Sequence, residues 1–172
     1  MNMLERFFPN MYIKSIFHLN IDSLIKKGIK GILVDIDNTL VSFDIEEPTD
    51  EIIELFNLIL KKGLKIMLIS NNTKERVDLF NSKLNLQTIH KAKKPRVINI
   101  KRAVKIMNLE NNEVALIGDQ IFTDVFGGNR INLYTILVQP VSHKDEWKTK
   151  VKRGLEKKVI KKYIEYRRKT NE

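Results

Sequence analysis

Cysteine is absent from the 172 residues, which removes disulfides, zinc–thiolate sites and cysteine nucleophiles together and suits a reducing compartment. Proline (4) and glycine (7) are sparse, so collagen-like, linker-rich and low-complexity classes are excluded. Three histidines, His18, His90 and His143, stand far apart; they show no ligand spacing and are assigned no chemistry. No apolar run approaches the ~20 residues needed to cross a bilayer. Residues 1–9 place Glu5 and Arg6 around Phe7 and Phe8, which is not the apolar stretch of a signal peptide. The expectation is a cytoplasmic protein, neither exported nor membrane-spanning.

What remains is the composition of one globular domain with an excess of positive charge: 42% hydrophobic residues and 31 Lys and Arg against 21 Asp and Glu, net +10. The excess is uneven. Residues 144–172 hold 12 basic and 5 acidic side chains, net +7, leaving 19 against 16, net +3, for residues 1–143. An anionic partner and a merely solvated lysine-rich surface both fit this excess.

From residue 29 onward, apolar runs alternate with helical patterns. Ile32-Leu33-Val34 reads as a buried strand entering Asp35. A helix follows over 49–62, with acids early, lysines late and Gly63 as the stop. Residues 64–69 form a second strand, and Asn72 with Glu75 reads as a capping box for a helix over 73–84. Residues 87–90 make a short third strand, and Pro95 opens a helix over 96–109. A fourth strand spans 114–117, a short helix over 121–126 ends at Gly127-Gly128, and a fifth strand spans 133–138. This rhythm predicts an α/β fold with right-handed crossovers and a mainly parallel sheet of about five strands, covered on both faces. The organisation expected is an N-terminal segment (1–28), a catalytic domain (29–143) and a basic C-terminal helix (144–172).

Ligands of such sheets sit beyond the carboxyl ends of the strands. Asp35 and Asp37, then Ser70, Asn71 and Asn72, then Lys93 and Lys94, then Asp119 and Asp124 occupy those ends. Carboxylates gathered there repel one another unless a hard cation neutralises them, and an all-oxygen set without His or Cys suits Mg2+. A lysine and a hydroxyl beside the metal make a phosphate site. In Asp35-Ile36-Asp37, unequal environments would let one carboxylate attack phosphorus while the other handles the proton.

Taken singly these signals are weak. An isolated DxD also occurs in calcium loops, although an EF-hand needs Gly where Leu40 stands and a helix where a strand is predicted. A receiver-type module also combines acids, a hydroxyl and a lysine, but in another order. Ser70 alone fits a turn, Lys93 and Lys94 fit solvated charges, and Asn129 with Arg130 fit either a helix cap and ion pair or a substrate contact.

Together the residues resemble a family. Asp35-Ile36-Asp37-Asn38-Thr39 resembles motif I of the haloacid dehalogenase-like (HAD) phosphatases, with Ser70 as motif II, Lys94 as motif III and Gly118-Asp119 with Asp124 as motif IV. The run from Gly118 to Arg130 is similar to the YqeG-like proteins of subfamily IIIA, which include mitochondrial phosphatidylglycerophosphate phosphatases. The resemblance implies a HAD-like Rossmannoid three-layer fold and Mg2+-dependent phosphomonoester hydrolysis through an aspartyl phosphate. In it Asp35 is nucleophile and metal ligand, and Asp37 is the general acid/base, also offering its carbonyl to Mg2+. Ser70 and Asn71 bind phosphate with Lys94 and Asp37, Lys94 neutralises charge, and Asp119 and Asp124 complete the metal set.

Only about 23 residues lie between motif I and the second strand, and as many between Ser70 and Lys94, room for one helix each and none for a separate cap domain. An uncapped site suits a bulky phosphomonoester, first of all an anionic lipid such as phosphatidylglycerophosphate. A nucleic-acid 3′-phosphate, or a HAD-like module binding RNA or a ribosomal partner, is the alternative. Trp147, Val151, Leu155, Val159 and Tyr163 recur every fourth residue among lysines and arginines, joined by Ile160 and Ile164. Such a helix fits peripheral association with the inner face of an anionic membrane, and equally packing on the protein's own sheet. The aromatic N-terminal stretch likewise fits packing over the sheet or insertion into lipid.

Overall fold

The computed structural model describes residues 4–142 and 147–170, without the side chains of 147–153. Six strands form one parallel sheet: β1 (Met11–Ile13), β2 (Gly31–Val34), β3 (Lys65–Ile69), β4 (Gln87–Ile89), β5 (Val114–Gly118) and β6 (Tyr134–Val138), in the order β1-β6-β5-β2-β3-β4. The helices are α1 (Ile21–Lys26), α2 (Asp50–Lys61), α3 (Lys74–Asn81), α4 (Val97–Ile106), α5 (Phe126–Asn129) and α6 (Trp147–Thr170). Side chains alternate across the central strands. Ile32, Val34, Ala115 and Ile117 join Phe56 of α2 and Phe80 of α3 on one face, while Leu33, Val114 and Leu116 join Ile100 and Val104 of α4 on the other. The result is a three-layer α/β domain, and no further domain is inserted among the described residues.

Local chemistry sets most boundaries. The Thr49 hydroxyl accepts from the Ile52 N–H at 3.4 Å to cap α2, and Gly63, at φ +87°, takes the left-handed turn that ends it. The α3 cap is one residue later than the sequence predicts. Thr73 accepts from the Arg76 N–H at 3.4 Å, because the Asn72 amide donates to Asp37 at 3.1 Å. Pro95 does not open α4 either; it follows a cis peptide bond in a turn closed by the Arg96 N–H on the Lys93 carbonyl at 2.9 Å.

Two further differences, and the packing of the N-terminal aromatics, come from tertiary contacts. The sheet gains β1 from the N-terminal segment, paired with β6 and anchored by the Asn10 carboxamide, which accepts from the Thr135 N–H at 2.8 Å. The aromatics before it pack on the protein itself: Phe7 stacks on Phe126 with centroids 4.8 Å apart, and Phe8 meets Tyr163 edge-on at 5.7 Å. Gly127 and Gly128 do not end a helix but lie buried inside α5. A Cβ on Gly128 would sit 2.5 Å from Thr135 Cγ2, and Thr135 is itself held by Asn129 at 2.8 Å. Gly128→Ala is therefore expected to destabilise the protein by about 1–3 kcal/mol through overpacking, measured by urea denaturation.

The C-terminal helix docks on the domain. Val159 packs with Ile121, Val125 and Leu137, and Tyr163 is buried, whereas Leu155, Ile164 and Tyr166 are exposed. The expectations for Trp147 and Val151 fall on side chains outside the described residues, as does the boundary at 143–144. No helix among the described residues is long and apolar enough to cross a membrane.

Candidate active site

The carboxyl ends of β2, β3 and β5 open onto one pocket of about 330 Å3, lined among others by Asp35, Asp37, Ser70, Asn71, Lys94 and Thr123. Asp35 extends β2 by one residue, its N–H donating to Ile117 at 2.9 Å. The chain then turns through Asn38, at φ +60°, a left-handed conformation that Asn tolerates. This turn brings the Thr39 hydroxyl back between Asp35 (3.3 Å) and Asp119 (3.4 Å).

Lys94 is the centre of the charge array. Its ammonium donates to Asp35 at 2.7 Å, to Asp124 at 2.6 Å and to the Ile69 carbonyl at 3.0 Å, and it is almost wholly buried. Burial alone would lower its pKa, but Asp124 and Asp35 outweigh that and hold it above the usual lysine range. Asp124 is fixed by the Gln120 N–H and the Thr123 hydroxyl, both at 3.2 Å. Gly118 leaves it room, since a Cβ there would lie 2.2 Å from the Asp124 carboxyl carbon.

Asp35, Asp119 and Asp124 place carboxylate oxygens within 4.8 Å of one another, all three buried. One ammonium pairs with two of the three carboxylates, so the fully ionised cluster is net negative in a low-dielectric setting, a charge that a proton or a further cation relieves. Three anionic oxygens without nitrogen or sulfur fit a hard divalent ion, and the site is consistent with Mg2+. Burial foremost, with Asp124 and Asp37 adding repulsion that Lys94 only partly offsets, pushes the Asp35 carboxyl up from 3.8 to about 7. A divalent ion takes only the ionised form, so its binding expels that proton. The apparent Mg2+ affinity is therefore expected to fall about tenfold for each pH unit below about 7. The check is the Mg2+ concentration giving half of the maximal thermal stabilisation at pH 8, 7 and 6.

Asp37, Ser70 and Asn71 line the same pocket but in other postures. The Asp37 carboxylate is held by other partners: Oδ1 accepts from Arg76 Nε at 3.2 Å and Nη2 at 3.0 Å, and Oδ2 from Asn72. Ser70 is buried, and its Oγ accepts from the Asn72 N–H at 3.1 Å. The Asn71 carboxamide clamps the backbone of Lys94, accepting from its N–H at 2.7 Å and donating to its carbonyl at 3.1 Å. Asn129 donates to the Arg6 and Phe8 carbonyls, and Arg130 to that of Pro95, so both hold the chain rather than line the pocket. Arg76 escaped the sequence reading, since nothing local separates it from 30 other basic residues. Thr39 was visible as the last residue of DxDxT, without its bridging position.

A parallel three-layer domain with this array at its strand ends, and no cap among the described residues, fits the HAD-type phosphatases, and the chain's similarity to known proteins places it in that class. More narrowly, residues 1–142 match the family described as mitochondrial PGP phosphatase, and the chain belongs to that family. It is 41% identical over 159 residues to the "Probable phosphatase YqeG" of Bacillus subtilis (strain 168), covering 92% of each chain. It is 27% identical over 150 residues to the phosphatidylglycerophosphate phosphatase 1, chloroplastic/mitochondrial, of Arabidopsis thaliana, covering 80% of this chain and 42% of that one. Two solved structures share the fold. A Listeria monocytogenes serotype 4b protein matches with TM-score 0.56 at 13% identity, over 69% of this chain and 84% of that one. The cobalt-bound deoxy-D-mannose-octulosonate 8-phosphate phosphatase of Haemophilus influenzae matches with TM-score 0.52 at 11% identity, over 66% and 80%.

Proposed function

We propose that the protein hydrolyses an anionic lipid phosphomonoester, phosphatidylglycerophosphate foremost, through an aspartyl phosphate on Asp35. The observation that carries this reading is the buried Asp35–Lys94–Asp124 array, of which Asp35 and Lys94 line an open pocket. A carboxylate of Asp35 attacks phosphorus as the ester P–O bond breaks, and Asp37 protonates the departing alkoxide. Asp37 then takes a proton from the water that attacks the acyl phosphate, releasing inorganic phosphate and restoring Asp35. Arg76 and Asn72 hold Asp37 at the pocket rim for both transfers. The ammonium of Lys94 offsets charge on Asp35 and on the phosphoryl oxygens, and Ser70 and Asn71 border the space the phosphoryl group enters. Asp35, Asp119 and Asp124, with the Asp37 carbonyl, would hold Mg2+, which supplies further neutralisation of the phosphoryl charge.

The lipid assignment draws on the name of the Arabidopsis relative, the open pocket and helix α6. Lys157, Lys158, Lys161, Lys162, Arg167, Arg168 and Lys169 are all exposed on α6, and each basic residue near an anionic membrane is worth ~1 kcal/mol. This supports peripheral association with such a surface. The test is phosphate release with Mg2+ from phosphatidylglycerophosphate in mixed vesicles, a 3′-phosphorylated oligonucleotide and an aryl phosphate. Highest kcat/KM on the lipid is expected. Turnover of the oligonucleotide without the lipid would reassign the substrate to nucleic-acid ends.

A further inference from the structure

Helix α6 meets the turn that carries Asp124 through a buried carboxylate as well as through Val159. Glu156 is 4% exposed, on a helix whose neighbouring Lys157, Lys158, Lys161 and Lys162 all face solvent. Its Oε1 accepts from the Ile121 N–H at 2.8 Å and from the Phe122 N–H at 3.5 Å. Those amides open the π-helical turn Ile121–Val125, which begins two residues after Asp119 and contains Asp124. The leading N–H groups of a helical turn have no partner within the turn and carry its positive end. Gln120, the residue at the cap position, supplies no side-chain acceptor; the acceptor comes from 35 residues away.

An apolar residue would dock α6 at lower desolvation cost than a buried carboxylate. The acid stands where the two amides are, between the flanking contacts of Val159 with Ile121 and Val125. The family match ends at residue 142, so Glu156 lies outside the part of the chain that match covers.

We propose that Glu156 is a positioning residue for the active site: the docked C-terminal helix fixes the turn after Asp119 and thereby the spacing of Asp119 and Asp124. The proposal rests on the reading of the Asp35, Asp119 and Asp124 cluster as a Mg2+ site. Its test compares Glu156→Ala and Glu156→Gln with Val159→Ala, which loosens the same helix contact without touching the amides. In the full-length protein, Glu156→Ala is expected to raise the Mg2+ concentration for half-maximal thermal stabilisation about tenfold, as losing a partner behind a ligand does. Glu156→Gln, which keeps an acceptor oxygen, should recover part of that loss, and Val159→Ala should keep the wild-type midpoint even with a lowered Tm. Hydrogen exchange across 119–126 should quicken in Glu156→Ala beyond its rate in Val159→Ala. A shared midpoint and a shared exchange rate for Glu156→Ala and Val159→Ala would overturn the proposal. If the wild type shows no Mg2+ stabilisation, the metal reading falls and exchange alone decides: faster in Glu156→Ala sustains the positioning role, equal rates refute it.

Discussion

Lys94→Met is expected to destabilise the metal-free protein by about 3–5 kcal/mol and to lower kcat by about 10²–10³-fold. The reason is the arithmetic of the buried array. One ammonium is within hydrogen-bond reach of both Asp35 and Asp124, with the Ile69 carbonyl as its third acceptor. Methionine conserves the bulk of the side chain, so the effect isolates charge rather than volume. Without the ammonium, the three buried carboxylates of the cluster have no cation, and the folded state must take up protons or open. Acid should therefore narrow the gap between variant and wild type, and so should Mg2+, which replaces part of the lost positive charge. Urea denaturation in chelator and in Mg2+, at pH 5.5 and pH 8, measures all four corners. A variant as stable as the wild type in chelator at pH 8 would show that Lys94 does not compensate the cluster.

The same array explains which parts of the site the sequence could show. Asp35, Ser70, Lys94, Asp119 and Asp124 each follow a strand or lie in the loop after one, and in a parallel sheet those positions share one edge whatever the helices do. Runs such as Val114-Ala115-Leu116-Ile117 mark the strands because both faces are covered. β1 is only three residues long and half-buried along its length, so Met11-Tyr12-Ile13 carries no local strand signal and exists through pairing with β6. Arg76 and Glu156 act through partners 39 and 35 residues away, and nothing local distinguishes Glu156 from the exposed Glu165. The tail shows a third kind of limit. An every-fourth-residue stripe drifts about 40° per step around a helix of 3.6 residues per turn, so over two steps Leu155 lies about 80° away from Tyr163 and falls at the edge of the docking face. Burial follows Glu156, Val159 and Tyr163 instead, leaving Leu155 54% exposed. Docking on the sheet's flank and offering a basic surface outward are therefore properties of one helix, not competing fates for it.

Asp35→Asn should lower phosphate release by at least about 10⁴-fold, the scale expected when a nucleophile is removed, while making the metal-free protein more stable at pH 8. The two effects share one cause. In the folded chain the Asp35 carboxyl is pushed from 3.8 to about 7, chiefly by burial. Between those values the native state keeps a proton that the unfolded chain has lost, so stability falls as pH rises through this window and stays lowered above it. Asparagine has the shape of the protonated acid and nothing to ionise, so the variant's stability in chelator should fall less than that of the wild type between pH 5 and pH 8. Mg2+ reverses the order. It gains from an ionised Asp35 and loses a ligand in the variant, so the wild type should rise further in Tm and the two curves should cross as Mg2+ is added. Thermal melts in chelator and over a Mg2+ series, with phosphate release measured in parallel, test both halves. An Asp35→Asn protein that is less stable than wild type in chelator at pH 8 would mean that the ionised carboxylate is held favourably by Lys94 alone. A variant that keeps full phosphatase activity would remove Asp35 from the chemistry.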